Sequence, residues 1–286
     1  MTPEPSVRTV LAPWHLPTPT SRSVALDLGG RTLLAGGLGP GDHSTDQVLA
    51  VDPEHGSVNP AGRLAQAVHD SAGGVVAGKP FLFGGGGATE LDTVQGGGSG
   101  AWQVVGHLPG GTRSDLSVAT VGDSLLLVGG YDGSGTPTSI LKTTDGTHFT
   151  TIGHLPAGVR YAGVATIGTT VWVLGGEVDQ RELTEVYRID ATTGHVTSVG
   201  RLPGPLGHEA VIPVGRRLLV AGGRTAVHST TGAMWWFDTT SHRWSRAGRL
   251  PEPVADAPVV VHGSQAWLLG GEAPDFTTAV VELSWG

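Results

Sequence analysis

The sequence predicts an all-β chain built from six copies of one four-stranded antiparallel unit, and three observations predict it. A glycine pair ends an apolar run six times: "TLLAGG" at Gly36, "PFLFGG" at Gly84, "LLLVGG" at Gly129, "VWVLGG" at Gly175, "LLVAGG" at Gly222 and "AWLLGG" at Gly270. The steps of 48, 45, 46, 47 and 48 residues are a repeat period, and such a period decides architecture before finer detail does. A second landmark keeps the beat, with Leu16-Pro17, Leu64-Ala65, Leu108-Pro109, Leu155-Pro156, Leu202-Pro203 and Leu250-Pro251. Third, glycine makes up 47 of 286 residues without a collagen period, which marks many tight turns.

The fourth unit shows the elements in order. Its strands are "AGVATI" (162–167), "VWVLGG" (171–176), "TEVYRID" (184–190) and "HVTSVGRLP" (195–203), separated by the turn-forming stretches "GTT", "EVDQREL" and "ATTG". The first strand of a unit is rich in small residues, which suits a crowded place. The second is the most apolar, with Leu33, Phe81, Leu126, Trp172, Leu219 and Trp267 at equivalent positions, so it belongs between packed sheets. The fourth adds an equivalent set, Val10, Val58, Trp102, Phe149, Val196 and Trp244, also expected in the core.

A glycine pair at the end of a buried strand permits backbone angles closed to branched residues and lets another backbone approach closely. Six such sheets set radially around an axis make a propeller, in which each blade protects its neighbour's edges. The last unit stops after its third strand, "AVVELSWG" (279–286), while "VRTVLAPWHLP" (7–17) reads as a lone fourth strand. The N-terminal strand is therefore expected to complete the last blade and remove two exposed edges. Blade 2 departs from the pattern through Ala65, "GGGG" (84–87) and "QGGGSG" (95–100), and is expected to be the loosest.

The apolar strand ending in Gly-Gly, the later aromatic of "EVYRID" or "MWWFD", the Trp of "HRWSRAGRLP" and the closing Leu-Pro resemble Kelch repeats over residues 7–286. The resemblance implies a six-bladed Kelch-type β-propeller with four antiparallel strands per blade. Residues 1–286 are then one domain, with blades at about 18–64, 65–109, 110–156, 157–203, 204–251, and 252–286 plus 7–17. Kelch propellers are mostly recognition scaffolds, and stand-alone bacterial ones include sugar epimerases. Some Kelch-fold oxidases use copper with a cysteine-crosslinked tyrosine, which a chain without cysteine cannot build.

Composition excludes several classes. Net charge is −8, from 17 basic and 25 acidic residues, so no basic face is expected for nucleic acid. The absence of cysteine removes disulfides, thiolate metal sites and a cysteine nucleophile. No apolar run reaches the length of a membrane span, and residues 1–16 lack a signal peptide's apolar core. The start "MTPEPS" fits a native terminus, pointing to the cytoplasm, or a trimmed one, pointing outside it. A monomer is expected.

Residues that recur in every unit serve the architecture, and those that vary are free for a ligand. His15, His107 and His154 precede Leu-Pro, and His55, His148, His195 and His242 fall in equivalent turns, so these seven are read as structural. Fourteen residues before each glycine pair the blades carry Arg22, Asp70, Asp115, Tyr161, His208 and Asp256, all polar. His69, Arg113, Arg160 and Glu209 lie within two residues of them. Just after the pair comes a second ring, Leu38, Gly86, Tyr131, Glu177, Arg224 and Glu272, expected at the same channel mouth.

Arg22 is expected between Asp256 and Asp70, and Arg224 between Glu177 and Glu272. That leaves Asp115, Tyr161 and His208, with Tyr131 nearby, for a polar small molecule, a glycan, or a peptide or protein partner. The same groups could do acid–base work, with His208 or an Asp as the candidate, so binding and cofactor-independent catalysis both stay open. Asp42, His43 and Asp46 in "GDHSTDQ" are read as a turn rather than a metal site, and "GLGPG" (37–41) lacks the helix that a phosphate loop needs. No cofactor is expected.

Overall fold

The computed structural model describes residues 4–98 and 100–286, which form a six-bladed β-propeller of antiparallel sheets with no helix among the described residues. Blade 4 runs from the axis outward as Gly163–Ile167, Thr170–Leu174, Arg181–Asp190 and Val196–Leu206, each strand paired antiparallel with the next. The innermost strands of the other blades are Val24–Asp27, Ala72–Val76, Ser114–Val121, Ala210–Val214 and Val259–His262. These six strands touch in cyclic order and enclose the axis.

The chain ends close the ring as the sequence predicts. Val7–Leu11 pairs with Val280–Trp285 in the register Val7 to Trp285 and Leu11 to Val281. Ala12 N–H then donates to the Val280 carbonyl at 2.8 Å, and Leu16 N–H to that of Thr278 at 2.9 Å.

The predicted second-strand set is wholly buried, from 0% exposure at Leu33, Leu126 and Leu219 to 5% at Phe81. Trp172 packs with Val211, Leu218 and Phe237 of blade 5, and Trp267 with Leu34, Leu49 and Val51 of blade 1. The core is thus six interblade clusters. The fourth-strand set differs from expectation: only Trp102 is fully buried, while Val10, Val58, Phe149, Val196 and Trp244 are half-buried. Outer strands have a neighbour on one side alone, so their apolar side chains reach the core without being covered.

The glycine pair has a definite task. The second glycine's N–H donates to the carbonyl two residues ahead of the next blade's first-ring residue: Gly37 to Val68, Gly85 to Arg113, Gly130 to Val159, Gly176 to Leu206, Gly223 to Val254 and Gly271 to Thr20, at 2.7–2.9 Å. At Gly175 (φ 51°) and Gly176 (φ 93°), an added Cβ would meet the Leu206 carbonyl oxygen at 2.1 Å and Val159 Cγ2 at 2.3 Å. Side chains there would push the blades apart.

Blade 2 is not simply loose. Gly100 and Ala101 add in parallel to the outer strand of blade 1, opposite Gly62 and Arg63, and Trp102 N–H donates to the Arg63 carbonyl at 3.0 Å. Ser99 lies outside the described residues.

Candidate functional site

The six first-ring residues share one unusual backbone conformation. Arg22, Asp70, Asp115, Tyr161, His208 and Asp256 all have φ between 50° and 61°, the left-handed region. Asp and His enter this region more readily than most side chains, whereas Arg and Tyr rarely do. The reason is a closed belt of hydrogen bonds around the axis. Each ring N–H donates to the ring carbonyl of the preceding blade: Arg22 to Asp256, Asp70 to Arg22, Asp115 to Asp70, Tyr161 to Asp115, His208 to Tyr161 and Asp256 to His208, at 2.8–3.3 Å.

The two rings interlock as a polar plug. Arg22 Nη1 donates to Asp70 Oδ2 at 2.9 Å, as expected, but its Nε donates to Glu272 Oε1 at 3.0 Å rather than to Asp256. Asp256 instead accepts from His208 Nδ1 at 2.7 Å and lies 3.0 Å from Arg224. Arg224 also pairs with Glu272, but not with Glu177 as the blade order suggested, because His208 Nε2 (3.3 Å) and Arg160 take Glu177. The neighbours of a ring position are therefore set by side-chain length across both rings, not by blade order alone.

His208 is the largest departure from expectation. Its side chain is fully buried and bridges two carboxylates. Burial opposes its charge, but Asp256 and Glu177 prevail and push its pKa up to about 9. The His208 hydrogen bond in turn holds Glu177 down at about 2, with help from Arg160. Tyr161 stacks on the imidazole, and its hydroxyl crosses the channel to donate to Asp70 Oδ2 at 3.2 Å. Arg160 lies against the rings of both Tyr131 and Tyr161, 5.4 Å from each centroid.

Two carboxyls are poorly served. Asp115 meets Arg160 at 3.4 Å, and burial together with the charge of Asp70 raises its pKa to about 7. Glu209 accepts weakly from the Gly163 N–H at 3.3 Å through Oε1, and burial raises it to about 7 as well. Its Oε2 has no hydrogen-bond partner among the described residues.

Both carboxyls line a cavity of about 210 Å³ in the channel. The cavity is walled by all six first-ring residues and by residues that follow them along the inner strands. Tyr131, Glu177, Arg224 and Glu272 do not line it, so the second ring meets the first through ion pairs rather than through this cavity. Arg113 does not line the cavity. It turns away, donating through Nε to the Gly129 carbonyl at 2.6 Å and through Nη2 to that of Ser139 at 2.8 Å. His69 sits at the edge, 2.8 Å from Ser44 Oγ and 3.8 Å from Asp70.

A larger groove of about 520 Å³ beside blade 1 includes His43 and Asp46, but Asp46 is neutralised there by Arg63 at 2.8 Å. Among the described residues, no group of three or more His, Asp or Glu is arranged to hold a metal ion. No helix among them is long and apolar enough to cross a membrane. No protein-family model matches the chain, and no curated protein matches it either.

Proposed function

We propose that the chain is a Kelch-type propeller, one domain throughout, which binds a small polar ligand, a glycan unit or a peptide tip in its channel at Asp115, Tyr161 and Glu209. The observation that carries this reading is the strained ring. Six non-glycine residues hold left-handed backbone angles, each at a cost of about 1 kcal/mol or more, where glycine would serve the belt without strain. Retaining Arg, Asp, Tyr and His there calls for a use of those side chains, and they converge on one cavity.

Arg22, Asp70, Asp256, Glu177, Arg224, Glu272 and His208 then form the frame, and Arg160 with Tyr131 positions Tyr161. A second reading, a cofactor-independent epimerase or cyclase, is favoured by one observation. Asp115 and Glu209, both near pKa 7, flank the cavity and could hold or release a proton at neutral pH.

Ligand-observed NMR with a library of sugars, amines and short peptides tests the reading. A hit should bind the wild type and lose affinity at least tenfold in Asp115→Asn and Tyr161→Phe. A hit that binds both variants as it binds the wild type places the site elsewhere. Appearance of a new sugar isomer with the wild type, abolished in Asp115→Asn, selects the enzyme reading.

A further inference from the structure

We propose that the channel ligand carries a protonated amine, held with its ammonium between Asp115 and Glu209 beside Tyr161. The proposal rests on the channel being a binding site and adds the chemistry of its occupant. The lumen offers acceptors and has few protons left to give. Of its four hydroxyls, Ser23 shares a hydrogen bond with the Thr20 hydroxyl at 3.0 Å, Ser71 donates to the Phe83 carbonyl at 3.0 Å, Ser117 to that of Ala162 at 2.6 Å, and Tyr161 to Asp70. Its two cations are engaged as well, Arg22 with Asp70 and Glu272, and His208 with Asp256 and Glu177.

What remains under-served is carboxyl oxygen. Glu209 is only 8% exposed, yet its Oε2 is without a partner, and Asp115 has its one cation at 3.4 Å. A buried acceptor left unpaired is costly, so its presence points to a partner that arrives with the ligand. Asp115 and Glu209 come from blades 3 and 5, on either side of Tyr161 in blade 4. An anion would face four lining carboxylates, Asp70, Asp115, Glu209 and Asp256. A neutral polyol would find free donors only in the carboxylic protons of Asp115 and Glu209, which are lost above pH 7. An ammonium brings only donors and positive charge, which is what the lumen lacks. The volume of about 210 Å³ equals roughly seven waters, so the amine is compact.

The carboxyls give the binding a pH signature. Asp115 faces Asp70, Arg160, Tyr161 and Ser114, and Glu209 faces His208, Asp256 and the Gly163 N–H. With both near 7, an arriving ammonium displaces protons. Amine affinity should therefore rise about tenfold per carboxyl between pH 6 and pH 8.

Titration calorimetry and NMR with isosteric pairs test this: ethanolamine against ethylene glycol, putrescine against 1,4-butanediol, and glucose as a neutral polyol. Each amine should bind at least tenfold tighter than its neutral twin, release protons, and weaken at least tenfold in Asp115→Asn and in Glu209→Gln. Equal binding of the twins, or amine binding independent of pH, overturns the amine proposal and leaves the channel reading standing. Amine binding unchanged in both variants overturns the two together. Failure of both amines at millimolar concentration while glucose binds overturns the amine proposal alone. If either variant does not fold, the comparison of twins on the wild type decides.

Discussion

Tyr161 lies on His208 with ring centroids 4.0 Å apart and 24° between the planes, and the two residues do different work. The imidazolium is fixed by two buried carboxylates, whereas the phenol gives one hydrogen bond across the channel. Replacing Tyr161 with Phe keeps the stack and should cost about 1 kcal/mol, lowering Tm by about 2–4 °C. Replacing His208 with Ala leaves Asp256 and Glu177 without their shared cation and should cost about 3–5 kcal/mol. Urea melts of the two variants should separate them clearly; equal losses would mean that the bridge is not structural.

Stability should fall as pH rises from about 4 to 9. Asp115 and Glu209 keep their protons to about 7, so the folded state holds protons that the unfolded chain has already lost. His208 extends the trend, because its contribution is complete below 6.5 and disappears as pH passes about 9. Glu177 works the other way, but its contribution is lost only as pH falls from 4.5 through about 2. Denaturant midpoints across this range should decline, and Asp115→Asn should flatten the decline between pH 4 and 7. A stability maximum at pH 8 would contradict these protonation states.

Much of this was readable beforehand, and the divide is physical. The glycine register and the unequal chain ends determine blade number and closure, because both depend on backbone geometry that repeats. Equivalent positions also had to form rings, which identified Arg22 through Asp256. The pairing inside those rings was only partly readable: Arg22 with Asp70 and Arg224 with Glu272 form as expected, whereas Arg22 with Asp256 and Arg224 with Glu177 do not. Whether Arg22 reaches Asp256 or Glu272 depends on side-chain length and on which competitor, here His208, already holds the carboxylate. Nor could spacing reveal that Arg113 turns onto the carbonyls of Gly129 and Ser139. One signal was present and unused: Asp and His at four of six ring positions are residue types that tolerate left-handed backbone.

Trp172 and Trp267, 4% and 2% exposed, bridge adjoining blades. Their replacement by Ala should cost about 3–5 kcal/mol each and nearly additively, since they occupy separate clusters. Thermal melts of the single and double variants check this. Strong coupling would show that blades communicate beyond their shared clusters.

Removing residues through Leu11 opens the last blade. The strand Val280–Trp285 would then present a free edge, so the truncated protein should lose cooperative unfolding and self-associate. Light scattering with circular dichroism reports both. A monomeric, equally stable truncation would show that the clasp is dispensable.

The most direct test of the channel as the binding site is diffraction from crystals soaked with the tightest hit of the ligand screen. Density in the lumen against Asp115, Glu209 and the Tyr161 ring is the expected result. Density in the groove by His43 and Asp46, or on the opposite face, with only water in the lumen, would contradict it.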